Sequence, residues 1–62
     1  MRIDRVKLIA EMARQDMQQK ELIKITGLSK ATLSAIRGGK SCSPATAEKI
    51  AKGLNVSLDE LM

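Results

Sequence analysis

The stretch 30–40 most constrains what this chain folds into, because a short helix-forming segment ends there at two consecutive glycines. Leu33 and Ile36 are three residues apart, which places both side chains on one face of a helix. Small and cationic side chains occupy the other face, and the stretch carries no negative charge. Gly38 and Gly39 favour no regular helix and end the segment. The stretch therefore predicts a short helix with one buried apolar face and one small, basic, exposed face.

A second short helix, rich in Gln and Lys, precedes this one across Gly27. Gly27 is expected to end that helix, and Ser29 is placed to cap the start of the next one. Two short helices joined by a tight Gly-containing turn are what entry of the second helix into the DNA major groove requires. The succession of a short helix, a Gly-containing turn and a second short helix therefore predicts a helix-turn-helix formed by the second and third helices.

The whole chain is predicted to be all-α, with five helices and no strand. The expected helices lie over about 4–15, 18 or 19 to 26, 30–37, 44–54 and 57–61. Ser43 with Pro44 starts the fourth helix, Asn55 closes it in the left-handed conformation, and a capping box at 57–60 opens the fifth. The predicted apolar stripe of the first helix is Val6, Ile9, Ala10, Ala13 and then Met17. The predicted inward residues of the fourth are Ala47, Ile50, Ala51 and Leu54.

Length and composition indicate one domain over residues 1–62, since 44% hydrophobic residues suffice for one small core. A single cysteine, Cys42, rules out an intramolecular disulfide and favours a reducing, cytoplasmic setting. No apolar run approaches the ~20 residues that span a bilayer. The basic, amphipathic first helix suggests a membrane surface, but so short a chain needs that apolar stripe for its core. No membrane partner is therefore expected.

The positive charge is concentrated toward the N-terminus. Residues 1–40 contain nine cationic and four acidic side chains, whereas residues 41–62 contain two cationic and three acidic ones. The positive charge of residues 1–40 fits a surface that binds a polyanion, and the near-neutral residues 41–62 fit a surface that packs behind it.

Several function classes lack the residues they need. The chain has no His and no second Cys, and its acidic residues show no convergent pair or metal-ligand spacing, so no enzyme is expected. Gly38 and Gly39 precede no phosphate-binding loop pattern. The absence of aromatic residues disfavours single-strand or RNA binding, which uses aromatic stacking. No cofactor, metal or small-molecule effector is predicted.

Six stretches carry a family resemblance through their order and spacing: Gln19–Leu22, Thr26–Ser29, Ala31–Ile36, Gly39–Lys40, Ala45–Lys52 and Val56–Leu61. Together they resemble the helix-turn-helix domain of the phage repressor and Cro type, the Cro/C1-type or Xre family of transcriptional regulators. The resemblance covers nearly the whole chain. It implies a compact five-helix, lambda-repressor-like fold and sequence-specific binding of double-stranded DNA by a small bacterial or phage-type regulator, such as a repressor.

The resemblance also implies roles for individual positions, with the recognition helix at about Lys30–Arg37. The candidates for base-facing positions are Lys30, Ala31, Ser34 and Ala35. The candidates for contacts with the DNA backbone are Gln19, Ser29, Thr32, Lys40 and Ser41. Lys30 can reach guanine acceptors or phosphate, and the alanines can lie against a thymine methyl. The plainer alternatives are a solvated basic face, an ordinary helix surface at Thr32 and an exposed helix start at Gln19.

The chain departs from the family pattern at three places. Relatives often have Gln or Arg where this chain has Lys30 and two alanines, so sequence choice is expected to rest on few base contacts plus DNA shape. Relatives pair an Arg of the first helix with a Glu near the end of the third; here Arg37 stands at that place, and Glu11 is expected to supply the opposite charge in a reversed pair. Gly53 replaces a frequent Ala and is expected to loosen the fourth helix.

The expected partners are double-stranded DNA and a second copy of the chain. One short recognition helix reads too few base pairs, so we expect a homodimer, weak in solution, on half-sites about 34 Å apart. Its expected apolar contact is Val56, Leu58, Leu61 and Met62. The alternative is an antitoxin-type or mobile-element regulator that also binds a protein; an antitoxin usually needs a further segment to wrap its toxin, and these 62 residues leave none.

Overall fold

Four α-helices followed by one turn of 3-10 helix make up the chain, and the computed structural model describes all 62 residues. The elements are α1 (Arg5–Arg14), α2 (Gln19–Thr26), α3 (Lys30–Arg37), α4 (Pro44–Gly53) and the 3-10 helix (Leu58–Leu61). The all-α prediction is confirmed. The predicted fifth α-helix is wrong in type: the Glu60 N–H bonds the Ser57 carbonyl three residues back, at 3.1 Å, which is the tighter 3-10 spacing. No helix has the length and apolar character that crossing a membrane requires.

Side-chain caps start three of the four α-helices. The Asp4 carboxylate accepts from the backbone N–H groups of Val6 and Lys7 and therefore lies just outside α1. Ser29 and Ser43 cap α3 and α4 as predicted, each accepting from the backbone N–H three residues further on. The starts of these helices are thus determined by contacts within one turn of chain.

Left-handed residues end the helices. Gly27 (φ 74°) ends α2 and Asn55 (φ 56°) follows α4, both as predicted. After α1, Asp16 takes the same conformation (φ 53°), a role that the sequence analysis did not assign. At the end of α3, Gly39 (φ 99°) lets the Lys40 N–H bond the Ala35 carbonyl at 3.0 Å. The chain therefore turns sharply at the end of α3 and holds Lys40 next to it.

Eleven buried apolar residues form a single core: Ile3, Leu8, Met12, Leu22, Leu33, Ile36, Ala47, Ile50, Ala51, Leu54 and Leu61. The inward faces predicted for α3 and α4 are confirmed in full. α2 packs against α3 and α4, while α1 packs against α3 and the 3-10 helix. The Asp4 N–H bonds the Leu61 carbonyl at 2.8 Å and ties the start of α1 to that last turn.

The predicted inward face of α1 is wrong. Leu8 and Met12, one turn apart, are the buried residues of this helix. Four of the predicted residues are exposed instead: Val6, Ile9, Ala10 and Ala13. The physical reason is that α1 has two apolar stripes. The Leu8 stripe continues into Gln15, whose Nε2 bonds the Leu54 carbonyl at 2.6 Å, so this side docks on the core.

Gly53 has a packing role that its helix propensity alone does not predict. It is the last residue of α4 and lies against α2, where an added Cβ would stand 3.1 Å from Cδ1 of Leu22. The missing side chain therefore permits a close approach of α2 and α4.

Candidate nucleic-acid interface

The outward face of α3 contains the four residues predicted to face DNA bases. Lys30, Ala31 and Ser34 are exposed and Ala35 is half-buried, whereas Leu33 and Ile36 lie in the core. The helix is thus anchored by one side and presents the other. The exposed side has small side chains apart from Lys30, which allows close approach of another surface.

The start of α3 is organised by two hydroxyl groups. Ser29 Oγ accepts from the Thr32 N–H at 3.1 Å and donates to Thr32 Oγ1 at 2.8 Å. The Ser29 hydroxyl is therefore engaged in the cap, while the hydroxyl hydrogen of Thr32 stays free. Both residues are exposed.

Gln19, the first residue of α2, bridges to α3. Its Nε2 donates to Ser34 Oγ at 2.8 Å, and its Oε1 accepts from Nη1 of Arg37 at 2.6 Å. The side chain is half-buried rather than a free helix start. Two hydrogen bonds from one amide therefore brace α3 against α2.

The expected pair between Glu11 and Arg37 is wrong. Glu11 forms its ion pair with Arg14, three residues further along the same helix. This hydrogen bond, opposed by desolvation, holds the pKa of the Glu11 carboxyl below its ordinary value. Arg37 bonds Gln19 instead, and its Nε is buried without a hydrogen-bond partner. The short reach along one helix turn favours Arg14 over a residue on another helix.

The loop after α3 presents Lys40 and Ser41, both exposed. Two hydrogen bonds between Cys42 and Met1 tie this loop to the N-terminus. The Cys42 N–H donates to the Met1 carbonyl at 2.7 Å, and the Cys42 carbonyl accepts from the Met1 nitrogen at 2.9 Å. Lys40 lies beyond the C-terminal end of α3, and Lys30 begins it. The two predicted cationic contacts are therefore separated by the length of α3, about 12 Å.

The electrostatics of this surface favour an anionic partner. The one ion pair of the chain is Glu11–Arg14, so Lys30, Arg37 and Lys40 have no carboxylate within bonding distance. α3 itself contains no acidic residue. No group of His, Cys, Asp or Glu side chains is placed to hold a metal ion.

The nine predicted site residues thus occupy the start of α2, α3 with its cap, and the loop that follows. Direct contacts join Gln19 to Ser34 and Ser29 to Thr32, whereas no hydrogen bond joins the side chains of Lys30, Lys40 or Ser41 to the others. Arg37, which was expected to pair with Glu11, is a further member of this surface through its hydrogen bond to Gln19. Its signal was present, since Arg37 and Ser34 are three residues apart on one helix face.

These features define a small all-α domain that presents one short, basic helix on a braced pair of helices. The model of the Cro/C1-type HTH DNA-binding domain matches residues 7–62, and the chain belongs to this family. The resemblance found in the sequence is therefore confirmed, and the general function is DNA binding in transcription regulation. Comparisons with curated proteins and with solved structures find no match.

Proposed function

We propose that the chain is a sequence-specific regulator that binds double-stranded DNA through a helix-turn-helix formed by α2 and α3. In this proposal α3, Lys30–Arg37, enters the major groove. The observation that carries it is the division of α3 into a buried side, Leu33 and Ile36, and an exposed side that is small, basic and free of carboxylates. A regulator of this kind acts in the cytoplasm and needs no cofactor or catalytic group.

The proposed roles follow from reach and chemistry. Lys30 is the one long donor on the exposed face and reads a base edge or a phosphate, while Ala31 and Ala35 allow close approach to thymine methyl groups. Gln19 has a second Nε2 hydrogen free for a phosphate oxygen, because only one is bonded to Ser34. The backbone-facing set is completed by Ser29, Thr32, Lys40 and Ser41.

We also propose a homodimer that is weak in solution and is stabilised by DNA. The reason is that one recognition helix with a single long polar side chain, Lys30, specifies too few base pairs. Leu61 is fully buried in the monomer, so it does not belong to the proposed dimer contact. Met62 is 44% exposed and Val6 is 67% exposed, and both line one surface depression. We assign the proposed apolar contact to these two residues together with half-buried Leu58 and Val56.

Selection of binding sites from a random pool of double-stranded DNA tests the proposed function. The selected duplexes are expected to share a sequence and to bind about 10³-fold or more tighter than shuffled duplexes at physiological salt. Pools that converge on no shared sequence would contradict sequence-specific binding.

Two matched variants test where the DNA binds. Ala31→Glu places a carboxylate on the exposed face of α3 and is expected to abolish binding without disturbing the core. Ala10→Glu makes the same change at an exposed site on α1 that lies beside Glu60 and away from α3, and it is expected to bind almost normally. Equal losses in the two variants would argue against α3 as the binding surface.

A further inference from the structure

The contact between Arg37 and Gln19 determines which way the Gln19 amide points. The two ends of a glutamine amide differ in chemistry, since the oxygen accepts and the nitrogen donates. An arginine guanidinium only donates, so the Gln19 atom 2.6 Å from Nη1 of Arg37 has to be the oxygen. The nitrogen then faces Ser34, at 2.8 Å from its Oγ. Arg37 therefore excludes the flipped amide.

This orientation also determines what Ser34 can offer. The Gln19 nitrogen only donates, so Ser34 Oγ accepts that bond and keeps its own hydrogen. The hydroxyl of a serine or threonine in a helix often donates to the carbonyl four residues back, as Thr26 Oγ1 donates to the Leu22 carbonyl at 2.7 Å. Ser34 makes no such bond and is exposed on the outward face of α3. Its hydroxyl hydrogen is free for a partner.

We propose that Arg37 is a positioning residue that, through Gln19, makes Ser34 a hydrogen-bond donor toward an acceptor on bound DNA. The proposal rests on the proposed function. On base edges the acceptors for this hydrogen are guanine N7 and O6, adenine N7 and thymine O4. A phosphate oxygen offers the same acceptor chemistry, and the experiment separates the two sources.

The charge of Arg37 strengthens this series of hydrogen bonds. The guanidinium is half-buried, has no carboxylate partner, and bonds only the Gln19 oxygen. A positive charge at the oxygen end polarises the amide, so its nitrogen becomes a stronger donor to Ser34. The Ser34 hydroxyl is polarised in turn and becomes a better donor to DNA.

The test measures how the effects of Arg37→Met and Ser34→Ala on DNA affinity combine. Methionine keeps a long apolar stem in place of the arginine and removes its donors. Without Arg37 the Gln19 amide is free to flip, and Ser34 then donates inward to the glutamine oxygen. We expect each single variant to weaken binding to the selected duplex about fivefold, the size of one lost hydrogen bond, and the double variant to bind no more weakly than either.

A merely structural Arg37 gives a different result. Its loss would weaken binding equally with and without Ser34, so additive effects would overturn the proposal, as would an inert Ser34→Ala. Arg14→Met, on the exposed surface of α1, is the matched control and is expected to have no effect on DNA affinity. Arg37→Lys keeps a donor-only cation and is expected to restore most of the binding.

Measurements on duplexes with single base-pair substitutions distinguish the acceptor. A loss of preference at one base pair assigns Ser34 to a base edge, and an equal, still non-additive loss on every duplex assigns it to a phosphate. Failure of the wild-type chain to prefer any sequence would instead contradict the proposed function.

A second variant tests the same proposal without removing Arg37. Gln19→Glu keeps a partner for the arginine but presents two acceptor oxygens, so the Ser34 hydrogen is drawn inward. We expect Ser34→Ala to have no further effect in this background. An undiminished effect of Ser34→Ala there would overturn the proposal, even if Arg37→Met fails to fold.

Discussion

Gly53 of α4 lies against Thr26 of α2 so closely that a Cβ at position 53 would stand 3.0 Å from Cγ2 of Thr26. Thr26 cannot turn this methyl away, because its Oγ1 donates to the Leu22 carbonyl at 2.7 Å and accepts from the Leu28 N–H at 3.3 Å. The hydroxyl bonds thus hold the methyl in place, and the absence of a side chain at Gly53 sets the separation of α2 and α4.

Gly53→Ala is expected to destabilise the fold despite its better helix propensity. Alanine in a helix gains about 0.5–1 kcal/mol over glycine, but overpacking costs about 1–3 kcal/mol, so we expect a net loss of about 1 kcal/mol in the free energy of unfolding. Urea denaturation measures it. In a Thr26→Ser background, which removes the methyl and keeps the hydroxyl, the same change is expected to cost less. A stabilising Gly53→Ala in the wild-type background would contradict this reasoning.

Lys30→Ala is expected to weaken binding to a selected duplex by about 1–3 kcal/mol and to relax preference at one base pair, since Lys30 is the long donor of the exposed face. Competition binding on substituted duplexes measures both effects. Lys52→Ala, at an exposed position in the last turn of α4, is the control for lost charge. Equal weakening of Lys30→Ala on selected and random duplexes would assign the side chain to phosphate instead.

Lys40→Ala is expected to weaken binding to all duplexes alike and to lower the salt dependence of the logarithm of affinity by about one unit. The reason is that an exposed lysine beyond the end of α3 neutralises a phosphate and carries no base information. Fluorescence anisotropy over a series of salt concentrations measures the slope. If both slope and affinity stay unchanged, Lys40 makes no contact with DNA.

The Glu11–Arg14 pair predicts a pH dependence of stability. The hydrogen bond from Arg14 lowers the pKa of the folded Glu11 carboxyl below its ordinary value of 4.5. The contribution of this pair to the free energy of unfolding is therefore present above pH 4.5, and it is lost as the pH falls through the lowered pKa of Glu11. We expect Glu11→Gln to be less stable than the wild type at pH 7, and the difference in unfolding free energy to shrink in acid. A difference that is the same at pH 7 and pH 3 would refute this origin.

The proposed dimer makes a prediction about stoichiometry. Sedimentation of the wild-type chain on a selected operator is expected to give two chains per site. Met62→Asp together with Leu58→Asp is expected to reduce this to independent binding of single chains, because charges would enter the apolar contact. Circular dichroism checks that the variant stays folded, since Leu58 also packs on the core. One wild-type chain per operator at saturating protein would contradict the dimer.

Much of the fold was predictable because it is decided within a few residues. The caps Ser29 and Ser43 and the left-handed end at Asn55 depend on hydrogen bonds to the adjoining turn of chain. Leu33 and Ile36 are the only large apolar residues of α3. The pattern therefore allows only one buried side, and this places Lys30 on the exposed side.

Contacts between helices were decided only in the tertiary structure. α1 has two apolar stripes, and in the tertiary structure the side with Leu8 and Met12 docks on the core, where Gln15 also gains a hydrogen bond. Periodicity assigns no preference between two such stripes. The partner of Arg37 is a similar case, since Glu11 of α1 was the expected partner and Gln19 of α2 is the observed one. The way α2 packs against α3 brings the Gln19 oxygen to 2.6 Å from the guanidinium, a distance on which the sequence alone has no bearing.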